Sequence, residues 1–303
     1  MHGIFNVNKP SGITSHDVVN IVRRVSGIRR VGHAGTLDPA AEGVLLVCVG
    51  KATKVVEYLV GSRKTYCAEV TFGIETDTYD SEGQVVSKAP ASQIQAIKVQ
   101  DIESALRALT GKILQVPPMY SAIKKQGKPL YKLARAGIDV ELQPREVEIY
   151  RAQLIAWQAP VAKIEIECSK GTYIRSFAHD LGKILGCGAY LSYLVRLASG
   201  RFKLEDALPL SVLEQAIQLG YWQELIFPLD YALLDFGAAI LGPESQKAVT
   251  SGQSWAPRFQ QPTDERIREI HGLCRVYSLE GEIVALLKLD QRTHRWWPEK
   301  VFA

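Results

Sequence analysis

The sequence predicts an α+β fold: a mixed, mainly antiparallel sheet with flanking helices, and a small β-rich module at the C-terminal end. Three observations carry this. Short apolar runs with strand character recur at Gly3–Lys9, Val44–Val49, Lys64–Phe72, Val147–Trp157 and Val161–Ser169. The helical stretches read as segregated from these runs, the α+β pattern. Beyond Pro243, Cys274–Val276 and Ile283–Leu289 flank Leu279-Glu280-Gly281-Glu282, a hairpin signal. The 303 residues, 47% hydrophobic and 22% charged, suffice for one large domain plus a small one. Residues 1–240 are expected to form the first and 241–303 the second.

Taken in order, Ile4, Phe5 and Val7 alternate in a short strand closed by the turn residues Pro10-Ser11-Gly12. Ser15 is a suitable N-cap for the next helix, whose face is Val18, Val19, Val22 and Val25 and whose end is Gly27. Residues 28–43 (IRRVGHAGTLDPAAEG) read as a long loop punctuated by Gly and Pro, running into a buried strand at Val44–Val49. A helix around Lys54–Val60 precedes the strand Lys64–Phe72, and an acidic loop, ETDTYDSEG, leads to a helix starting near Asp101. Residues 116–144 break the rhythm, with prolines at both ends and a short helix in the middle. After Gly171, Ile174, Phe177, Leu181, Ile184 and Leu185 share one helical stripe, with Arg175, His179 and Lys183 off it. Pro228 to Pro243 reads as a junction.

The five cysteines form no CxxC pair, so neither a disulfide framework nor a zinc site is expected, and they read as reduced packing residues. The N-terminus lacks a signal-peptide pattern, and no run of about 18 apolar residues occurs. A cytoplasmic protein without a membrane partner is expected.

Lys+Arg 36 against Asp+Glu 32 leaves a formal net charge of +4, too small to name a partner. The charge is segregated, however. Lys124, Lys125, Lys128, Lys132 and Arg135 lie between Ser121 and Arg135 without an acid, with Tyr120 and Tyr131 nearby, and Arg23, Arg24, Arg29 and Arg30 form a second cluster. Residues 75–104 are acidic instead. Basic loops with interleaved aromatics suit a nucleic-acid backbone, and a solvated loop is the bland alternative.

Familiar catalytic signatures fail. Gly50-Lys51 lacks the glycine and the hydroxyl of a phosphate-binding loop, and no GxSxG, HExxH or deaminase zinc set occurs. What remains is Gly32 to Gly43, where three glycines and Pro39 frame the single acid Asp38 before Glu42 and the buried strand. Such a loop permits close approach of a ligand and holds a carboxylate at a sheet rim. Taken singly, Asp38 also reads as a turn starter, Arg175 as a solvated helix residue, Tyr66 as a β-face aromatic and His33 as a loop hydrogen-bonder.

Together these residues resemble the bacterial tRNA pseudouridine-55 synthase family. The likeness runs through Asn8-Lys9-Pro10-Ser11-Gly12 with Ser15, Gly32-His33-Ala34-Gly35-Thr36-Leu37-Asp38-Pro39 with Gly43, and Lys64-Thr65-Tyr66. It continues through Thr76-Asp77-Thr78, Pro117–Ala122, Gly127–Tyr131, Cys168–Ser176 and Leu194-Val195-Arg196-Leu197. These ordered segments cover residues 3 to about 205; the tail after Pro243 resembles the family's small PUA-like RNA-binding module more loosely.

The resemblance implies a pseudouridine synthase fold and conversion of a T-arm uridine of tRNA, at position 55, to pseudouridine, with no cofactor and no metal. It implies Asp38 as nucleophile, attacking ribose or base or assisting elimination, and Arg175 as its ionic partner. Tyr66 would stack on the uracil and take the C5 proton, and Leu194 would wall the pocket. His33 would insert where the flipped nucleotides were, while Lys9, Pro10 and Gly35 support the loop. Lys124, Lys125, Lys128 and Tyr131 belong to 116–144, which resembles a mobile basic loop that closes over the T-arm. A monomer with no obligate protein partner is implied. The rival readings are a synthase acting on another RNA, a non-catalytic RNA-binding or RNA-folding protein, and a small-molecule enzyme.

Overall fold

A computed structural model describes residues 1–121, 124–125, 128–130, 133, 142–256 and 272–302. Along the chain run β1 (Gly3–Lys9), α1 (Ser15–Ser26), β2 (Val31–Ala34), β3 (Glu42–Val49), α2 (Val56–Gly61), β4 (Lys64–Phe72), β5 (Ile74–Thr76) and β6 (Val85–Lys88). Next are α3 (Ala91–Gln95), α4 (Val99–Ala108), β7 (Gly111–Gln115), β8 (Lys124–Lys125), β9 (Lys128–Pro129), β10 (Arg145–Gln158) and β11 (Val161–Cys168). The last part holds α5 (Ile174–Ile184), β12 (Ala189–Ser199), β13 (Phe202–Lys203), β14 (Leu208–Pro209), α6 (Leu210–Leu219), β15 (Gly237–Ile240), α7 (Pro243–Thr250), β16 (Leu273–Tyr277), β17 (Ile283–Asp290) and β18 (Arg295–Val301).

The main sheet has the order β14-β1-β3-β12-β4-β11-β10-β7, with β2 on β3 and β13 on β12. Its ladders are antiparallel except β1–β14 and β3–β12. Register aligns one row across the centre: Lys9 opposite Gly43, Gly43 opposite Arg196, and Arg196 opposite Tyr66. Cross-strand neighbours point to one face, so sheet pairing alone gathers these residues from four separate strands.

β3 is buried on both faces, which explains its unbroken apolar run. Leu45 and Val47 face a core with Phe5, Val18, Val22, Phe177 and Leu181, while Leu46 and Cys48 face a second with Leu59, Phe202 and Leu233. The second core also takes Leu286 from the C-terminal sheet, β15-β16-β17-β18, and Phe302 just beyond its last strand. The Lys54 Nζ–Val301 O hydrogen bond (2.6 Å) and the Lys300–Glu57 ion pair (2.8 Å) join the same surfaces. No helix among the described residues is long and apolar enough to cross a membrane.

Several local expectations change. Thr14, not Ser15, caps α1, because extended Thr14 and Asp17 exchange reciprocal hydrogen bonds in a capping box. Residues 28–43 are not all loop, since Val31–Ala34 pairs with β3. The helix expected near Asp101 starts at Val99, with Asp101 accepting from Lys98 N. Ile184 leaves the buried stripe and is exposed, whereas Arg175 is buried. The stretch Pro228–Pro243 is more than a junction, because Gly237–Ile240 opens the C-terminal sheet by pairing parallel with β16.

Candidate active site

The loop carrying Asp38 is held from below by two buried cations. Lys9, fully buried at the end of β1, donates from Nζ to the carbonyls of Pro10 (2.8 Å), Ile13 (2.7 Å) and Pro39 (3.0 Å). Burial pushes its pKa down to about 8, opposed by Glu42 and Asp38. Arg196 on β12 donates from Nε to Val44 O (2.6 Å) and from Nη2 to Gly35 O (2.9 Å). Gly35 adopts φ +82°, and a Cβ there would sit 3.3 Å from Nη1 of Arg196, so this position suits glycine doubly.

From the helix side, the Ser15 hydroxyl accepts from Leu37 N (2.8 Å) and donates to Leu37 O (3.0 Å). Gly12 N donates to Pro39 O at 2.9 Å. Asp38 thus stands between two anchored neighbours, Leu37 and Pro39.

Arg175 lies in the first turn of α5, its side chain 7% exposed, with Nε 2.9 Å from Oδ2 of Asp38. Its Nη1 is 3.4 Å from Oδ2 of Asp80, and Nη2 donates to Tyr120 O at 2.9 Å. The helix start is itself fixed. Gln115 donates to Tyr173 O and accepts from Tyr173 N, and the Ser176 hydroxyl donates to Val116 O. The Asp38 side chain keeps 46% of its exposure. Desolvation raises its pKa, Arg175 draws it back toward the ionised form, and Asp80 adds to the rise.

Tyr66 on β4 packs against the main core, opposite Arg196 in register. Burial raises its phenol pKa, and the Arg196 guanidinium is the largest opposing influence. Leu194, two residues before Arg196, is 9% exposed and opposite Ala68. His33 on β2 has Nε2 3.1 Å from the Thr36 hydroxyl, and burial lowers its pKa, with His16 and Arg196 acting the same way. The neutral ring is therefore favoured.

The fold thus gathers Asp38, Arg175, Tyr66, Leu194, His33, Lys9, Pro10 and Gly35 in one neighbourhood. Of the segment 116–144, Val116 and Tyr120 reach this neighbourhood through their carbonyls, which accept from Ser176 and Arg175. Backbone Lys124–Lys125 pairs with Lys128–Pro129, while Tyr131 and much of 116–144 lie outside the described residues. Two residues escaped functional assignment from sequence. Arg196 stood only in a matched segment, and Asp80 sat in a loop read as acidic offset. An arginine inside an apolar run was the available signal for the first. For the second, the TDT segment just before it was the clue.

Among the described residues no group of three or more His, Cys, Asp or Glu side chains could hold a metal. The arrangement offers a carboxylate poised by a guanidinium, a phenol on the sheet face and an apolar wall. Nucleophilic or acid–base work on a flat ligand fits this set.

The family model described as TruB family pseudouridylate synthase (N terminal domain) matches residues 23–174. The tRNA pseudouridylate synthase B C-terminal domain matches 175–234. The two meet at the first turn of α5, so the Asp38–Arg175 pair spans both. A tRNA pseudouridine synthase B of Dehalococcoides mccartyi strain BAV1 is 43% identical over 302 residues, covering 100% of this chain and 97% of the relative. That of Clostridioides difficile strain 630 is 41% identical, covering 97% and 96%. A chain from the crystal structure of a Cbf5-Nop10-Gar1 complex superposes with TM-score 0.73 at 26% identity, over 99% of this chain and 85% of that one.

Proposed function

The chain belongs to the TruB family of pseudouridylate synthases and is an isomerase of that kind, and on that premise we propose that it converts the uridine at position 55 in the T-arm loop of tRNA to pseudouridine. The N1–C1′ bond breaks, the base turns, C5 joins C1′, and the proton leaving C5 is balanced by one gained at N1. The change is redox-neutral.

The target base leaves the folded loop to reach Asp38, and His33, a flat neutral ring close to the Asp38 loop, fills the space it vacates. The Asp38 carboxylate drives glycosidic cleavage, with Arg175 favouring its ionised state. Tyr66 stacks on the uracil and accepts the C5 proton, and Leu194 keeps the detached base from drifting. Burial disfavours the Tyr66 phenolate, and the Arg196 charge beside it partly opposes that rise, which favours transfer of the C5 proton to the phenol oxygen. Lys124, Lys125, Lys128 and Tyr131 meet the RNA backbone and loop, and residues 241–303 form a second RNA contact. Recognition of this sort reads the shape and splayed bases of the T-arm.

The observation that carries this reading is the 2.9 Å Asp38–Arg175 pair, with Tyr66 near enough for the Asp38 charge to act on its pKa. Its test is base-resolved mapping of pseudouridine in a T-arm stem-loop RNA incubated with wild type or with Asp38→Asn. One T-loop uridine is converted by wild type and none by the variant, a loss of at least about 10³-fold. Undiminished conversion by Asp38→Asn sinks the mechanism.

A further inference from the structure

Hairpin β5–β6 holds backbone strain next to the reacting pair. Tyr79 adopts φ +64°, a left-handed conformation uncommon for a bulky side chain, where glycine would be free of strain. Its carbonyl accepts from Leu191 N at 2.9 Å, and its ring stacks on His179 with centroids 4.1 Å apart and planes at 19°. His179 lies one helical turn beyond Arg175, so both side chains meet the hairpin from the same face of α5.

The histidine is held on its other side as well. Nδ1 of His179 lies 2.9 Å from Oε1 of Glu75, off the line of a directed hydrogen bond. The Ser87 hydroxyl donates to Oε2 of Glu75 at 3.2 Å. Immediately after Tyr79 comes Asp80. Its Oδ1 accepts from the Thr78 hydroxyl (2.5 Å) and Glu82 N (3.1 Å), leaving Oδ2 for Arg175 at 3.4 Å.

We propose that Tyr79, His179 and Glu75 are positioning residues: the Tyr79–His179 stack clamps the hairpin to α5, which sets Asp80 against Arg175 and so holds the guanidinium on Asp38. The inference rests on the reading of Asp38 and Arg175 as the reacting pair. Its physical basis is that a residue in a strained conformation persists only where its surroundings over-determine it, and here those surroundings are the stack and the Leu191 hydrogen bond.

Tyr79→Gly separates a positioning role from a structural one, because it relieves the strained φ while deleting the ring. With full-length protein and a T-arm stem-loop RNA, Tyr79→Gly keeps a melting temperature within a few degrees of wild type. It lowers kcat about tenfold with KM unchanged. Tyr79→Phe, which keeps the ring, restores kcat. His179→Gln, which removes the stack from the helix side, repeats the Tyr79→Gly loss. Combined with Asp80→Asn, neither adds to the loss caused by Asp80→Asn alone.

A Tyr79→Gly variant with wild-type kcat, or losses that multiply with Asp80→Asn, overturns the proposal. Asp38→Asn run alongside keeps the two readings apart. If it is active the reacting pair is wrong, whereas an inactive Asp38→Asn with multiplying Tyr79 and Asp80 effects defeats the clamp alone.

Discussion

Arg175 and Arg196 are both buried, yet the regions around them answer their charges differently. At the start of α5, Arg175 meets two carboxylates, Asp38 and Asp80, and one carbonyl. In the middle of β12, Arg196 meets the carbonyls of Gly35 and Val44 and, among the described residues, has no carboxylate in ion-pair contact. The first region is an anionic network around a cation. The second is a cation left largely uncompensated in a low-dielectric setting, and its field helps depress the pKa of Lys9 and Lys64 and opposes the rise at Tyr66. The difference teaches that one arginine is matched by carboxylates, Asp38 among them, while the other orders backbone and acts on its neighbours, Tyr66 included, through its unmatched charge.

The comparison breaks most readily at Arg175. Arg175→Gln is expected to lower the single-turnover rate about 10²- to 10³-fold while RNA affinity changes little. Since Arg175 lowers an Asp38 pKa that desolvation raises, its loss moves the acid limb of the pH–rate profile to higher pH. A profile that keeps its limb and merely shrinks removes the distinction. Arg196→Met has its effect elsewhere. Leaving two buried carbonyls without a donor costs about 2–4 kcal/mol of stability, read by denaturant unfolding, with the acid limb unmoved. A moved limb would mean that Arg196 also tunes Asp38.

A third effect, confined to alkaline pH, belongs to Lys9, whose pKa falls from 10.5 unfolded to about 8 folded. Below pH 8 both states hold the proton, and the buried charge weighs fully on the folded state. Between about 8 and 10.5 the folded protein has lost the proton and the unfolded chain retains it, so stability from this group rises across the window. Melting temperatures of wild type measured against Lys9→Met through that range will show the rise. Parallel curves refute it.

Much of this was legible in sequence where periodicity speaks. β1, β4, β10 and β11 lie within two residues of their expected bounds, because each is an apolar or alternating run closed by turn residues. β12 was not read as a strand, since Tyr190, Ser192, Tyr193 and Arg196 interrupt its apolar residues and two register shifts against β4 disturb the alternation. β2 hid inside a glycine-rich loop because its pairing depends on β3, not on its own residues. In the site, Asp38 and Arg175 were marked by resemblance, and His33 and Tyr66 with them. Asp80 was not, because a carboxylate in an acidic turn looks solvated until the turn is docked on α5. Arg196 sat within a matched segment, but nothing local tells that its partners are the carbonyls of a loop far back in the chain.

That distance has a consequence in time. The Gly35 and Val44 carbonyls meet their donor 161 and 152 residues later in the chain. β12 must also slip between β3 and β4 before the central row is complete. During synthesis from the N-terminus, the Asp38 loop therefore remains unfinished until about two thirds of the 303 residues exist. Nascent chains that end before Arg196 carry every residue of the loop but lack the donor that holds its Gly35 and Val44 carbonyls.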